Sequence, residues 1–484
     1  MIKSKHFDVA APASWRAVHS HRAGMFALFL GVFALLVAPG LFQSSAQPAP
    51  QRPATATAAA RNAALIAATG EVLKETSELR QLSIIKSVPS STQSRDEIQR
   101  AVIKNLDEGT SVTELHASEV FFKKLGLVPA DFHYRDLMVR LLTEQVAGYY
   151  EPKTQQFYLA DWIDVDGQRP VMAHELTHAL QDQHFNLRRF DKWPKGDSDA
   201  ELAAHSLIEG DATLAMVLYI ANNPLRAMTF LKAIGTMAGA SEELNKSPRA
   251  IRESLLFPYQ EGLNWTRELY RRGGWKEVSD AFATLPQSTE QILHPEKYFA
   301  HEAPVKMVTP DLTVMLKASE KKSEVRGQQS VPPASAGGSN TGSTWKRIAS
   351  DVNGEWGLYL ILDQFLKSPA ESHRAAAGWG GDRFDLYENA AGEVVYVSLS
   401  AWDSENDARE FFDAYVKKLS LEYPSAGQQR DPDTDRVSFK TDDGQVLVVS
   451  NGLRVITIEA PQSVRAEALL AAVKKFDAGA VARP

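Results

Sequence analysis

The stretch that most constrains this chain is Val171-Met-Ala-His-Glu-Leu-Thr-His-Ala-Leu-Gln-Asp-Gln-His184. No Gly or Pro interrupts it, and Ala173, Leu176, Ala179 and Leu180 supply apolar positions at helical spacing. It reads as an α-helix, with Pro170 tolerated in the first turn. On a helix, His174 and His178 point to the same side and can grip one metal ion together. Glu175 lies at the edge of that face, beside the position of a water on the ion. The chain has no cysteine. Disulfides, thiol catalysis and cysteine-based zinc sites are therefore excluded, which leaves His and carboxylates as ligands.

Two histidines do not complete a catalytic zinc site, which takes three protein ligands and keeps one position open. His184 is one candidate for the third. If the helix continues, however, it lies about 9 Å along the axis from His178, too far to share an ion. Glu209 is the other, in Ala203-Ala-His-Ser-Leu-Ile-Glu-Gly-Asp-Ala212. Leu202, Ala203, Leu207, Ala212, Met216 and Tyr219 give that region a helical pattern. An antiparallel helix pair would bring Glu209 back over the histidines, and Gly210 would let the two helices pack closely. His205, one turn before Glu209, is a rival ligand, a supporting group or an ordinary packed histidine. Asp182 could accept a hydrogen bond from a ligand imidazole or lie on the helix surface.

The N-terminus reads as an export signal. A basic region with Lys3, Lys5, Arg16 and Arg22 precedes the apolar run Met25–Ala38. Ser44-Ser-Ala46 follows as a cleavage site, giving a signal peptide over 1–46, or an N-terminal membrane anchor if uncleaved. Either way the expected location is periplasmic or extracellular. Residues 47–60 read as a disordered linker, 61–316 as the metal-bearing domain, 317–344 as a Ser/Gly/Pro-rich linker, and 345–480 as an α+β C-terminal domain. Within the metal-bearing domain, 82–88 is a strand candidate. Residues 146–160 form a hairpin whose free edge could hold an extended peptide by main-chain hydrogen bonds. Phe257-Pro-Tyr259 opens a new segment, and Gly273-Gly274 ends a helix. A net charge of −7 gives no basic footprint, so nucleic acid is excluded as a partner.

His174-Glu175-x-x-His178 followed by Glu209-Gly-Asp-Ala212 resembles the gluzincin metalloproteases over roughly residues 131–220. The resemblance implies a zincin-like core, zinc on His174, His178 and Glu209, and Glu175 as catalytic acid/base. It also implies a downstream His or Tyr as oxyanion donor, for which His294 is taken, with Tyr259 and Tyr298 as the other candidates. The mature chain is also similar to a group of exported bacterial zincin-like proteins. The matching stretches are His174-Glu-Leu-Thr-His-Ala-Leu-Gln-Asp182, Ser288-Thr-Glu-Gln-Ile-Leu-His-Pro-Glu-Lys-Tyr298 and Gly378-Trp-Gly-Gly-Asp-Arg383.

The expectation is therefore an α+β fold: a mainly helical zincin-like core with a β-hairpin, then a smaller α+β domain. The expected activity is zinc-dependent hydrolysis of peptide bonds in a peptide or protein substrate. The rival reading is a non-catalytic envelope protein that uses the same scaffold to bind.

Overall fold

The computed structural model is an α+β protein describing residues 58–145, 148–162, 165–192, 196–228, 242–319, 345–431 and 434–481. The expected signal segment lies outside these residues, as do 47–57 and 320–344 of the expected linkers. Residues 58–60 already belong to helix α1 (Ala58–Arg80). Among the described residues no helix is long and apolar enough to cross a membrane.

Three more helices follow: α2 (Arg95–Gly109), α3 (Val112–Lys124) and α4 (Tyr134–Gln145). Ser94 opens α2 with a capping box: its backbone N–H donates to Glu97 at 2.8 Å, and its hydroxyl accepts from the Glu97 N–H. The hairpin forms as β2 (Gly148–Glu151) and β3 (Gln156–Ala160). The strand expected at 82–88 does not form. There the N–H groups of Ile85 and Lys86 donate to the Gln183 side chain at 2.8 and 3.0 Å, which serves in place of a strand partner. A strand appears just beyond, as β1 (Ser90–Gln93), parallel to β3 in a sheet of order β1-β3-β2. β2 is therefore an edge.

Helix α5 (Val165–Phe185) carries the two histidines. It begins before Pro170, which lies inside the helix and not in its first turn. Met172, Ala173, Leu176 and Leu180 pack with Leu65 and Val72 of α1 and Phe157 and Leu159 of β3. The polar side chains of His174, Glu175, Thr177, His178 and Gln181 are buried as well, so α5 is enclosed all round.

Helix α6 (Ser198–Ala221) carries Glu209 and packs on both α5 and α7 (Arg249–Ala281). Pro258 lies within α7 and does not start it, whereas Gly273 and Gly274 have non-helical backbone angles and interrupt α7 where a helix end was expected, with a second helical stretch running on from Trp275. Gly274, at φ 64°, holds a left-handed conformation suited to glycine. Gly210 serves close packing, but against α7. A Cβ on Gly210 would strike Gly262 O, and one on Gly262 would strike Ser206 O.

Two short helices, α8 (Thr289–Leu293) and α9 (Pro295–Phe299), lead toward the C-terminal half. There β4 (Lys346–Asp351), α10 (Gly354–Leu366) and α11 (Pro369–Ala376) precede β5 (Trp379–Glu388) and β6 (Val394–Trp402). Helix α12 (Glu405–Glu422), strands β7 (Gly427–Asp431), β8 (Arg436–Lys440), β9 (Gly444–Asn451) and β10 (Arg454–Pro461), and helix α13 (Ala466–Val481) complete it. The seven strands run in the order β4-β5-β6-β10-β9-β8-β7.

The two halves share one core. Ala203, Leu207, Phe257 and Trp265 belong to the same cluster as Trp356, Leu360, Phe384 and Phe412. Polar contacts tie the C-terminal half to the start of α6. Arg383 Nη1 donates to Gly196 O at 2.6 Å, and Asp351 accepts from the N–H and hydroxyl of Ser198 at 2.8 and 2.5 Å. Asp382 is 2% exposed and accepts from the backbones of Asn353 and Gly354 and from the Trp379 indole, so it fixes the start of α10.

The α6–α7 contact places Glu209, one residue from Gly210. Gly210→Ala is expected to lower stability by about 2 kcal/mol, measured by urea denaturation, because overpacking outweighs the gain in helix propensity. Unchanged stability would mean that the helices part freely at this point.

Candidate metal centre

Three donors from two helices converge in the interior. His174 Nε2 and His178 Nε2 are 3.1 Å apart, and Glu209 Oε2 lies 3.1 Å from the first and 3.4 Å from the second. His174, His178 and Glu209 are 1%, 4% and 5% exposed. Ligands held about 2.0–2.1 Å from a tetrahedral ion stand about 3.3 Å from one another, so the observed triangle fits a small cation without rearrangement.

The electrostatics agree. Burial pushes the Glu209 carboxyl up, but His178 and His174 overcome it and hold the group down at about 2. Burial disfavours charge on His178, yet Glu209 raises that imidazole to about 9. Burial lowers His174. The three groups together favour one positive charge among them. Without an ion a proton on His178 supplies it, and a divalent cation would supply more.

Glu175 is 2% exposed, and its Oε2 accepts the backbone N–H of Tyr150 at 2.8 Å. It thus touches the outward side of edge strand β2. Burial raises its carboxyl to about 8, against the pull of the His178 charge. Tyr259 of α7 stacks on His174 with ring centroids 6.2 Å apart, and its phenol feels the negative charges of Glu209 and Glu175. Burial holds that phenol proton well above its ordinary range.

His294 is placed elsewhere. It sits between α8 and α9 with its Nε2 2.9 Å from Glu355 Oε1 on α10, so its partner is Glu355 and not the cluster. Tyr298 donates to Thr284 O at 2.7 Å and pins a turn. His184 is exposed and donates to Ser83 O at 2.7 Å, as a helix continuing through Phe185 requires. Asp182 accepts from the Tyr150 hydroxyl and the Leu187 N–H, each at 2.9 Å, and touches neither imidazole. Gln181 is the residue that meets His178, Oε1 to Nδ1 at 2.9 Å. Its spacing of three residues puts it on the same helix side, a signal the sequence carried.

A cavity of about 580 Å³ lies between α3, α6 and the C-terminal half. His205 lines it, but His174, His178 and Glu209 do not, so this cavity is separate from the candidate metal centre. A second acidic group, Glu290, Glu302 and Asp403, already holds the Lys297 ammonium at 2.7, 2.9 and 2.5 Å.

Residues 343–470 match a family described only as a domain of unknown function, DUF8575. No curated protein and no solved structure matches the chain. The cluster residues lie outside the DUF8575 match, whereas Asp351, Asp382 and Arg383, which brace α6 and α10, lie inside it.

Zinc at a hundredfold excess over its dissociation constant is expected to stabilise the fold by about 2.7 kcal/mol, read as a rise in melting temperature. His178→Ala is expected to abolish that rise while chelator returns the parent to its starting value.

Proposed function

We propose that the chain is a zinc-dependent metallopeptidase with a zincin-like core. The observation that carries this reading is the convergence of His174, His178 and Glu209 around one point, with Glu175 between that point and a strand edge. Zinc held by those three donors would supply Lewis acidity that makes water nucleophilic near neutral pH and polarises the scissile carbonyl. Glu175 takes the proton of the attacking water and delivers it to the leaving amine. Its environment lifts its proton affinity toward neutrality, which suits a group that must both accept and donate.

Tyr259 takes the donor role that the family resemblance implied for His294. Its ring stacks on His174, and burial together with the Glu209 charge keeps its proton in place to be donated to the carbonyl oxygen as charge builds there. The edge of β2 offers main-chain groups to an extended substrate, and the Tyr150 N–H that faces Glu175 shows which side of the strand meets the site. The apolar N-terminal run is the basis for export or a membrane tether.

Glu175→Gln is expected to keep zinc and lose hydrolysis of an unfolded protein substrate by about 10²-fold or more. Retained cleavage in that variant would remove Glu175 from the mechanism, whereas a parent that binds zinc and cleaves nothing would favour the binding-protein reading. Tyr259→Phe is expected to lower kcat by about 10²-fold, whereas His294→Gln changes it by less than about threefold. The reverse pattern would restore His294 as the donor.

A further inference from the structure

The two histidines of the cluster are not held alike. His174 Nδ1 is buried and has no hydrogen-bond partner among the described residues. His178 Nδ1 faces Gln181 Oε1 at 2.9 Å. The Gln181 amide nitrogen donates to Ile208 O at 3.0 Å and to Asp211 Oδ2 at 2.9 Å. An amide nitrogen has two hydrogens, and these two acceptors use both. Turning the amide over would set its oxygen against a carbonyl and a carboxylate, which cannot donate. Gln181 therefore presents only an acceptor to His178, and the His178 Nδ1 must carry a proton. A neutral imidazole then has its lone pair on Nε2, the atom that faces Glu209 and His174.

What fixes Gln181 comes from far along the chain. Arg80, the last residue of α1, donates to both oxygens of Asp211, Nε at 2.5 Å and Nη2 at 3.1 Å. Neither side chain of this pair is exposed. The guanidinium lies over the Trp275 ring, 4.5 Å from its centroid, and Nη1 donates to Ser279 Oγ at 3.1 Å. Trp275 and Ser279 follow the glycine kink of α7, so the bend brings that last stretch onto Arg80. The order is Arg80, Asp211, Gln181, His178, drawn from α1, α6 and α5 and closed by α7. A buried charged pair is expensive to desolvate and gives little net stability, so a role in setting geometry accounts for it better.

We infer that Gln181 is a positioning residue that fixes the tautomer of His178 for cation binding, with Asp211 and Arg80 holding it in place. The inference rests on the metal-site reading above. Orienting partners of this kind are worth about 10- to 100-fold in metal affinity when removed.

The test uses the full chain, zinc as probe, and competition with a chelator of known affinity, alongside long-range ¹H–¹⁵N spectra of the imidazoles. Gln181→Met, similar in size and without an acceptor, is expected to bind zinc about 10- to 100-fold more weakly. The His178 Nδ1–H signal should shift or vanish, while that of His174 stays. Asp211→Asn, which lets the Gln181 amide turn over, is expected to give a smaller loss and a mixed His178 tautomer. It decides the matter should Gln181→Met not fold. A parent that binds zinc, with folded variants that bind it equally tightly and keep the His178 signal, would overturn the inference and leave the metal site standing. A parent that takes up no zinc would overturn the metal-site reading, and this inference with it.

Discussion

A carboxylate shut in with two imidazoles, away from water, is the condition on which the rest of this molecule rests. Isolated in the interior, Glu209 would take up a proton. Between His178 and His174 it is held at about 2, and it raises His178 in return. The same neighbourhood acts oppositely on Glu175, lifting it to about 8. Two glutamates within one pocket are thereby separated into one that stays charged and one that can exchange a proton. That division comes from placement alone, since both begin with the same chemistry.

Such a pocket needs rigid walls, and the chain builds them from distant parts. Gly210 and Gly262 let α6 and α7 approach until backbone meets backbone, which brings Tyr259 beside the cluster that Glu209 completes. Tyr150 reaches the site twice: its N–H meets Glu175, and its hydroxyl meets Asp182 one helical turn beyond His178. The sheet edge is thus registered against α5 by two bonds of one residue, leaving little freedom for the strand to slide.

The sequence disclosed what is local. Two histidines four apart, the Ser94 capping box and the β2–β3 hairpin depend on neighbours within a few residues, and each formed. The Glu209 helix was legible because its apolar period is regular. What the sequence hid depends on contacts made across the fold. Asp211 and Arg80 are 131 residues apart and nothing in their local pattern links them. Pro258 was expected to open a segment, but the packing of Phe257 and Tyr259, 1% and 4% exposed, carries α7 through it. A lost hydrogen bond is outweighed there by burial. Strands β4 and β7 were not anticipated because both are sheet edges whose residues alternate weakly between core and solvent. His294 was chosen by likeness to a family, and likeness does not report where a side chain points once Glu355 competes for it.

The brace from the DUF8575 region changes how the two halves are understood. Arg383 and Asp351 hold the residues just before and at the start of α6, and Asp199 in its first turn accepts from Thr289, whose hydroxyl in turn receives the Trp356 N–H. Gly354 lies so close to Asp199 that a Cβ there would collide with the carboxylate. Because α6 is a single rigid rod of 24 residues, fixing its first turn also fixes Glu209 about three turns later. The C-terminal half therefore bears on the position of Glu209 through the first turn of α6. One apolar core running through both halves serves the same end: a hinge between them would loosen the carboxylate on which the proposed metal site depends.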